Sequence, residues 1–236
     1  MFSYQFDWSV VTSGQYFEWL VSGLKITLEL SVWSIVLSFL LGLIIAVMRM
    51  SNVRPILWFS HAYLEFFRNT PLLVQIFFWY FGSYQVLPKA VNDWLNSVNF
   101  EFAAAVIALT IYTSAFIAED IRSGVRSIPK EQMEAARSSG FSYIRSMLFI
   151  VLPQAVRLTI PPLINQFLNV TKNSSLAMTI GVAEITYQAR QVESYTFKGF
   201  EAFTAATLVY LILSLVIAGM MTIYNRKVLS PMMGGK

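Results

Sequence analysis

Residues 131–155, EQMEAARSSGFSYIRSMLFIVLPQA, place a short charged stretch directly before an apolar run. Pro129 suits the first turn of a helix and Gly140 suits the residue after its end, which predicts a helix of about 10 residues, roughly 15 Å long. Met133, Ala136 and Gly140 fall on one side of that helix. We therefore expect a smooth face that another protein can approach closely.

Composition places most of the chain in a membrane. Of its 236 residues, 56% are hydrophobic and 13% are charged, about half the charged share of a soluble domain, and the mean hydropathy is +0.57. The absence of Cys and the single His61 exclude a disulfide framework and a metal cluster. Residues 1–19 lack the basic segment of a cleavable signal peptide, and their many aromatic side chains suit a membrane interface on the periplasmic side.

Five apolar stretches approach or exceed the roughly 20 residues that a membrane-spanning helix needs. They predict spans at 26–48, 70–87, 102–118, 147–168 and 203–224, within one membrane domain over 20–225. The helix that precedes the second span is expected to break at Thr70-Pro71, because proline disfavours helical backbone in the residue before it. Pro161 and Pro162 are expected to disturb the backbone hydrogen bonds of the fourth span.

Basic residues decide the predicted orientation. If the N-terminus lies outside, ten bases fall in inner segments and four in outer ones, and the positive-inside rule then favours N-out and C-in. The inner bases are Arg49, Arg54, Arg122, Arg126, Lys130, Arg137, Arg145, Arg226, Lys227 and Lys236, and the outer ones are Lys89, Lys172, Arg190 and Lys198. The same asymmetry explains the pI of 9.3 without a nucleic-acid partner.

On that topology the loop 119–146 and the tail 226–236 are cytoplasmic. An amphipathic connector on the membrane surface is one interpretation of the loop. However, most connections are much shorter than these roughly 28 residues, and a surface helix shows a wider apolar face than Met133 and three small residues. The pattern favours a docking element for a soluble partner, followed by a second short helix that Ser142 caps.

A family resemblance rests on this stretch. The spacing matches every fixed position of the E-A-A motif of ABC importer permeases, which reads E-A-A, three residues, G, nine residues, I-x-L-P. The matching residues are Glu134, Ala135, Ala136, Gly140, Ile150, Leu152 and Pro153. The segments FFRNTPLLVQIFFWYFG and NVTKNSSLAMTIGVAEI resemble the polar amino-acid branch, and the C-terminal part is similar to glutamate/aspartate permease subunits. The chain departs from the family where Glu131 precedes Gln132 and Ser139 precedes Gly140.

The resemblance implies an all-α, type I importer transmembrane domain in the bacterial inner membrane. In such importers two permease subunits, identical or paralogous, bind a cytoplasmic ATPase dimer and receive substrate from a periplasmic binding protein. The resemblance makes the E-A-A helix the coupling helix, with Glu134, Ala135, Ala136, Gly140 and Pro153 as its ATPase-coupling positions. The chain has no G-x-x-x-x-G-K-[ST] loop, so we expect ATP and Mg to bind the partner, and neither a cofactor nor catalysis in this chain.

Polar residues at membrane depth are candidates for the substrate pathway, because burying them in hydrocarbon is costly. Asn165, Asn169 and Lys172 share one predicted helix face, and Arg68 offers a guanidinium that suits a carboxylate. The predicted pathway residues are Arg68, Asn69, Thr70, Gln75, Asn165, Asn169, Lys172, Asn173 and Ser174. Arg68 snorkelling to headgroups and an amide stripe that joins packed helices are the alternatives.

Two cations, Arg68 and Lys172, suit a substrate with two carboxylates. Together with the resemblance to glutamate/aspartate permease subunits, they predict the import of a polar amino acid, with glutamate or aspartate as the first choice. The alternative is an ion channel or secondary transporter for a small polar solute, in which Glu119, Asp120 or His61 relays ions. Local ion pairs from Glu119 and Asp120 to Arg122 or Arg126 are the simpler expectation for those two carboxylates.

Overall fold

A computed structural model describes residues 4–97 and 99–229 of the chain, without the side chains of Tyr84, Val228 and Leu229. Residues 1–3 of the predicted N-terminal segment and 230–236 of the predicted tail lie outside the described residues. Every regular element in the described ranges is a helix, so the predicted all-α class is confirmed.

The helices follow one another with short connections. The α-helices are α1 Ser9–Thr12, α2 Gly14–Arg49, α3 Arg54–Asn69, α4 Leu72–Val86, α5 Lys89–Ser97, α6 Phe100–Arg126, α7 Lys130–Ser138, α8 Tyr143–Ser146, α9 Leu152–Asn173, α10 Ile185–Thr196 and α11 Gly199–Tyr224. A π-helical segment, Met147–Val151, joins α8 to α9, and a 3-10 segment, Ser174–Ile180, follows α9.

Among the described residues, four helical stretches are long and apolar enough to cross a membrane: Gly14–Arg49, Phe100–Arg126, Tyr143–Ile180 and Gly199–Lys227. The predicted span 70–87 corresponds to α4, whose 15 residues measure about 22 Å, short of the roughly 30 Å of a bilayer core. The inside–outside orientation still rests on the charge asymmetry and stays a prediction.

Helix α2 is longer than the predicted span 26–48. Its 36 residues extend about 54 Å, well beyond the hydrocarbon thickness, because the helix begins already at Gly14. Lys25 and Glu29 pair at 3.8 Å on its exposed surface, as one-turn spacing allows.

The predicted break at Thr70-Pro71 is confirmed. Helix α3 ends at Asn69 and Pro71 is the N-cap of α4. The amide Nε2 of Gln75 donates to the hydroxyl of Thr70 at 2.7 Å and to its carbonyl at 3.2 Å. This buried side chain therefore supplies a donor to the backbone that the break leaves without a helical partner.

The chain forms two compact units, and α2, α6, α9 and α11 contribute residues to both. The first unit comprises Met1–Val36, Thr70–Thr110 and Asn169–Val216, and the second comprises Leu37–Asn69, Ile111–Leu168 and Ile217–Lys236.

The first unit is held by a small apolar core and by a buried acid, Glu184. The core side chains come from α1, α2, α10 and α11: Val11, Leu20, Ile185, Ala189, Val192, Ala202 and Ala206. Beside them, the fully buried Glu184 caps α10 by accepting from the N–H groups of Thr186 and Tyr187 at 2.9 and 2.8 Å. Tyr210 of α11 donates its hydroxyl to the same carboxylate at 2.7 Å. Burial outweighs these hydrogen bonds and raises the pKa of Glu184 above its ordinary value.

The N-terminal segment is attached to the start of α11. The buried carboxylate of Glu201 accepts the hydroxyl of Tyr4 and, at 2.7 Å, the N–H of Asp7. The rings of Phe6 and Trp8 both stack edge-to-face on Phe200. The aromatic side chains predicted for a membrane interface thus also fasten the segment to the fold.

The second unit depends on small side chains. Its core joins α2, α3 and α6 through Ile45, Ala46, Leu64, Ala115 and Ala118. Helices α6 and α9 approach so closely that a β-carbon at Gly124 would lie 2.0 Å from the hydroxyl of Thr159. Small residues at such crossings are typical of helices packed in membranes.

Pro161 and Pro162 disturb the backbone hydrogen bonds of the fourth span as expected, but they do not end the helix, because α9 runs through both prolines. Pro161 lacks the N–H that would bond to the carbonyl of Arg157 four residues earlier. The hydroxyl of Tyr224 donates to that carbonyl at 3.1 Å. A side chain near the end of α11 therefore replaces the donor that proline removes.

The replacement of Tyr224 by Phe removes this donor. We expect Tyr224→Phe to lower the free energy of unfolding by about 0.6–1 kcal/mol, because hydrocarbon offers no substitute partner. Reversible unfolding in mixed micelles measures the change.

The matched control is Tyr195→Phe. Tyr195 is 64% exposed, and its hydroxyl makes no hydrogen bond to any residue that the structure describes. Equal stability changes in the two variants would contradict the role of Tyr224.

Candidate functional site

Gly140 ends the charged helix α7 in a Schellman motif. Its φ is +88°, and the N–H groups of Gly140 and Phe141 donate to the carbonyls of Arg137 and Ala136 at 3.0 and 3.1 Å. A β-carbon here would meet nothing within 4 Å, so the backbone conformation requires glycine, whereas space within the chain does not. The predicted helix end is confirmed.

The predicted docking face of α7 is wrong. Ala136 is only 5% exposed, and Met133 packs against Ile128, Val151 and Ala155. Apolar side chains of this amphipathic helix turn inward because they can bury area there. The exposed α7 residues are Lys130, Glu131, Glu134, Ala135, Arg137 and Ser138.

Of the five predicted ATPase-coupling positions, four are available to a partner. Glu134, Ala135 and Gly140 are exposed at α7 and its end, and Pro153 is exposed in the first turn of α9. Ala136 instead anchors α7 to its own chain.

Helix α7 is linked to α9 by a pair of amides. The Nε2 of Gln154 donates to the Oε1 of Gln132 at 2.6 Å and to the carbonyl of Ile150 at 2.8 Å. Between the two helices, Ser142 caps α8 as predicted, accepting the N–H of Arg145 at 3.4 Å. Helices α7 and α9 are therefore joined both along the chain and across the amide pair.

Arg68 lines a small cavity in the second unit. The cavity measures about 220 Å³ and is bounded by Glu65, Arg68, Asn69 and Phe116. The Arg68 guanidinium lies 5.2 Å from the centroid of the Phe116 ring, and the Asn69 amide donates to the Glu65 carboxylate at 3.0 Å. Arg68 forms no ion pair with any described residue. One cation and one anion thus face a space that suits a small solute.

The predicted polar stripe lies on one face of α9. Asn165, Asn169 and Lys172 are all exposed, and their side chains bond to no other residue within 4–97 and 99–229. Unpaired amides and an ammonium group facing hydrocarbon would be costly. We therefore predict that this face borders water or another protein chain.

Three predicted pathway residues, Thr70, Gln75 and Ser174, have local structural roles. Gln75 holds Thr70 at the break before α4, and the fully buried Ser174 donates to the carbonyl of Thr171 at 2.8 Å. Asn173 is half-buried at the end of α9. The structure brings Arg68 and Asn69 into one cavity and Thr70 and Gln75 into one contact.

Two neighbouring carboxylates of α6, Glu119 and Asp120, have different hydrogen-bond partners. Glu119 accepts from Arg122 at 2.9 Å, as expected, and also from Arg49 of α2 at 3.1 Å. The expected pairing of Asp120 with Arg122 or Arg126 is wrong: its Oδ2 accepts from the amide of Gln166 in α9 at 2.8 Å. Arg49, with a side chain 9% exposed, was absent from the predicted contacts because nothing local in the sequence marks it.

Sequence reasoning also missed Glu65 and Phe116. The spacing of Glu65, three and four residues before Arg68 and Asn69, places all three on one helix face, so this partner was available from the sequence. Phe116 lies on another helix, and no local pattern predicts that contact.

Comparisons with known proteins agree with one another. Residues 38–230 match the family described as "Binding-protein-dependent transport system inner membrane component". The chain is 47% identical over 199 residues to "Probable glutamine ABC transporter permease protein GlnM" of Bacillus subtilis (strain 168), covering 84% of this chain and 88% of the relative. It is 33% identical over 227 residues to "Glutamate/aspartate import permease protein GltJ" of Escherichia coli (strain K12), covering 94% and 92%.

A solved structure also matches. "Crystal structure of an amino acid ABC transporter with histidines" has a TM-score of 0.84 and 33% sequence identity, covering 95% of this chain and 100% of that one.

Thiol labelling tests whether the stripe borders water. The chain has no Cys, so a single introduced thiol reports its own surroundings. We expect Asn169→Cys and Lys172→Cys to react several-fold faster with a charged methanethiosulfonate than Leu215→Cys, which is 61% exposed on the apolar α11. The reacting species is the thiolate, which forms in water and not in hydrocarbon. Equally slow reaction at all three positions would contradict contact of the stripe with water.

Proposed function

Because this chain belongs to the family of binding-protein-dependent transport system inner membrane components, we propose that it is the permease through which an ATP-driven importer passes a polar amino acid into the cytoplasm. Members of the family are non-catalytic, multi-pass subunits of the inner membrane. Membership decides against the channel and the secondary transporter considered from the sequence.

The proposed partners are a second permease subunit, a cytoplasmic ATPase dimer and a periplasmic binding protein. The sequence contains no phosphate loop, so the ATP and Mg bind the ATPase. The uncovered polar face of α9 has the chemistry expected of a surface that meets a second permease across a water-filled path.

Helix α7 is the proposed coupling element. Its exposed side carries Glu131, Glu134 and Arg137, which suit a polar groove on a soluble partner. A push on α7 is passed by the Gln132–Gln154 pair to α9, which carries the stripe. This transmission supports import only if the end of α7 keeps its shape.

Variants of Gly140 test the coupling. We expect Gly140→Glu to abolish ATP-driven uptake, because the new side chain enters the docking surface and strains a φ of +88°. Gly140→Asn is the control for backbone strain, since Asn tolerates the left-handed region; it should keep most uptake. Uptake and ATP hydrolysis are measured on the reconstituted complex, with membrane insertion checked. Undiminished uptake by Gly140→Glu would contradict the coupling role.

The observation that carries the substrate proposal is the cavity shared by Arg68 and Glu65. An amino acid carries a carboxylate and an ammonium group on one carbon. Arg68 would bind the carboxylate through two parallel hydrogen bonds, and Glu65 would receive the ammonium group. The roughly 220 Å³ cavity lies below the about 300–1,000 Å³ of sites for drug-sized ligands, which favours a small solute.

A substrate with a carboxylate in its side chain suits a further cation along the proposed pathway. For glutamate or aspartate, that cation is Lys172 of the first unit, which has no ion-pair partner among the described residues. The 33% identity to the glutamate/aspartate permease supports this choice. Glutamine is the second candidate, favoured by the 47% identity to a probable glutamine permease.

Two charge-removing variants separate these roles. We expect Arg68→Gln to raise KM roughly tenfold or more for glutamate and glutamine alike, since a charge-assisted hydrogen bond contributes about 1.5–3 kcal/mol. Lys172→Gln should raise KM for glutamate and leave glutamine unchanged. The control is Lys89→Gln, an exposed lysine of α5.

Uptake by the reconstituted complex, with competition by arginine and aspartate, measures these effects. Normal uptake by Arg68→Gln would contradict the cavity assignment. Equal effects of Lys172→Gln on both substrates would contradict the side-chain assignment.

A further inference from the structure

A second cavity lies between α6 and α9 in the second unit. It measures about 320 Å³, larger than the Arg68 cavity, and it has one charged group, two hydroxyls and an apolar wall. Its lining residues are Asp120, Ser123, Gly124, Ser127, Leu158 and Pro162. The close contact of Gly124 with Thr159 fixes the distance between the two helices beside it.

The two cavities follow one another along a single face of α6. Phe116 lines the Arg68 cavity, whereas Asp120 and Ser123 of α6 and Ser127, directly after its end, line the second one. Asp120 and Ser123 follow Phe116 by four and seven residues, which is the spacing of one helix face. Asp120 therefore lies one turn, about 6 Å, along the axis from Phe116.

The carboxylate of Asp120 is oriented but not neutralised by direct contact. The Gln166 amide holds its Oδ2 at 2.8 Å, while within the described residues no cation lies within 4.0 Å of it. A half-buried anion at the end of a membrane helix is costly, and it suggests a cationic ligand.

We infer that this cavity is a second subsite for the transported amino acid, in which Asp120 receives the α-ammonium group. The inference rests on the proposed function. Ser123 is exposed and its hydroxyl bonds to no described residue, so it can donate to the substrate carboxylate. Leu158 and Pro162 supply an apolar wall for the substrate side chain.

The two subsites follow one another, and each carries a charge that binds one end of an amino acid. Arg68 and Asp120 have opposite charges, and their cavities follow one another along one face of α6, so a zwitterion can leave the guanidinium as its ammonium group meets the carboxylate. Moderate binding at two places permits release where a single tight site would not. Asp120 is in this sense a specificity group for α-amino acids over other anions.

The variant Asp120→Asn tests the subsite. Asn keeps the size and an oxygen for Gln166 but loses the charge, so we expect KM for uptake to rise roughly tenfold or more. Competition by glutamate and by glutarate, its analogue without the ammonium group, gives a readout that a merely structural role would not change. We expect Asp120→Asn to prefer glutamate over glutarate less strongly than the wild type does.

The matched control is Asp93→Asn, an exposed carboxylate of α5 that should leave both readouts unchanged. If the wild type imports amino acids and Asp120→Asn matches Asp93→Asn in both readouts, the inference is overturned and the proposed function is left intact. Failure of the wild-type complex to import any amino acid would overturn both.

A second variant tests the same inference if the Asp120→Asn complex assembles poorly. Ser123→Trp fills the cavity from an exposed position and leaves the Asp120 carboxylate in place. We expect a several-fold loss of uptake. Unchanged uptake by an assembled Ser123→Trp complex would also overturn the inference.

Discussion

A polar group inside the apolar part of this chain must find its partner within protein, because hydrocarbon supplies none. Glu184 meets this requirement with two backbone N–H groups and the Tyr210 hydroxyl, and thereby fixes α10 to α11. Tyr224 meets it for the Arg157 carbonyl that Pro161 leaves without a donor. Much of the tertiary structure can be understood as the consequence of satisfying such groups.

The same constraint separates structural polar residues from functional ones. Gln75, Ser174 and Glu119 have partners, so their burial needs no other explanation. Asn165, Asn169 and Lys172 have none among the described residues, although they project from a helix long and apolar enough to span a membrane. In the proposed importer, the partners of this face are water, substrate and a second permease subunit.

The proposed coupling depends on which residues of α7 are buried and which are exposed. The inward side, with Met133 and Ala136, binds α7 to the second unit, while Gln132 reaches Gln154 on α9. The outward side is charged and ends at Gly140 in a left-handed turn. In the proposed function, a helix held in this way acts as a lever, because side-chain contacts join it to α9. A freely mobile connector would absorb the same force.

The sequence by itself determined the membrane class, the break at Thr70-Pro71, the helix end at Gly140, the cap at Ser142 and the polar face of α9. All of these follow from local backbone preference or helical periodicity, which act over a few residues. Only tertiary structure decided that α9 runs through its prolines, that Ala136 faces inward, and that Asp120 contacts Gln166. Each of these depends on a side chain from a distant helix, and the free energy of such contacts depends on packing that no short stretch of sequence encodes.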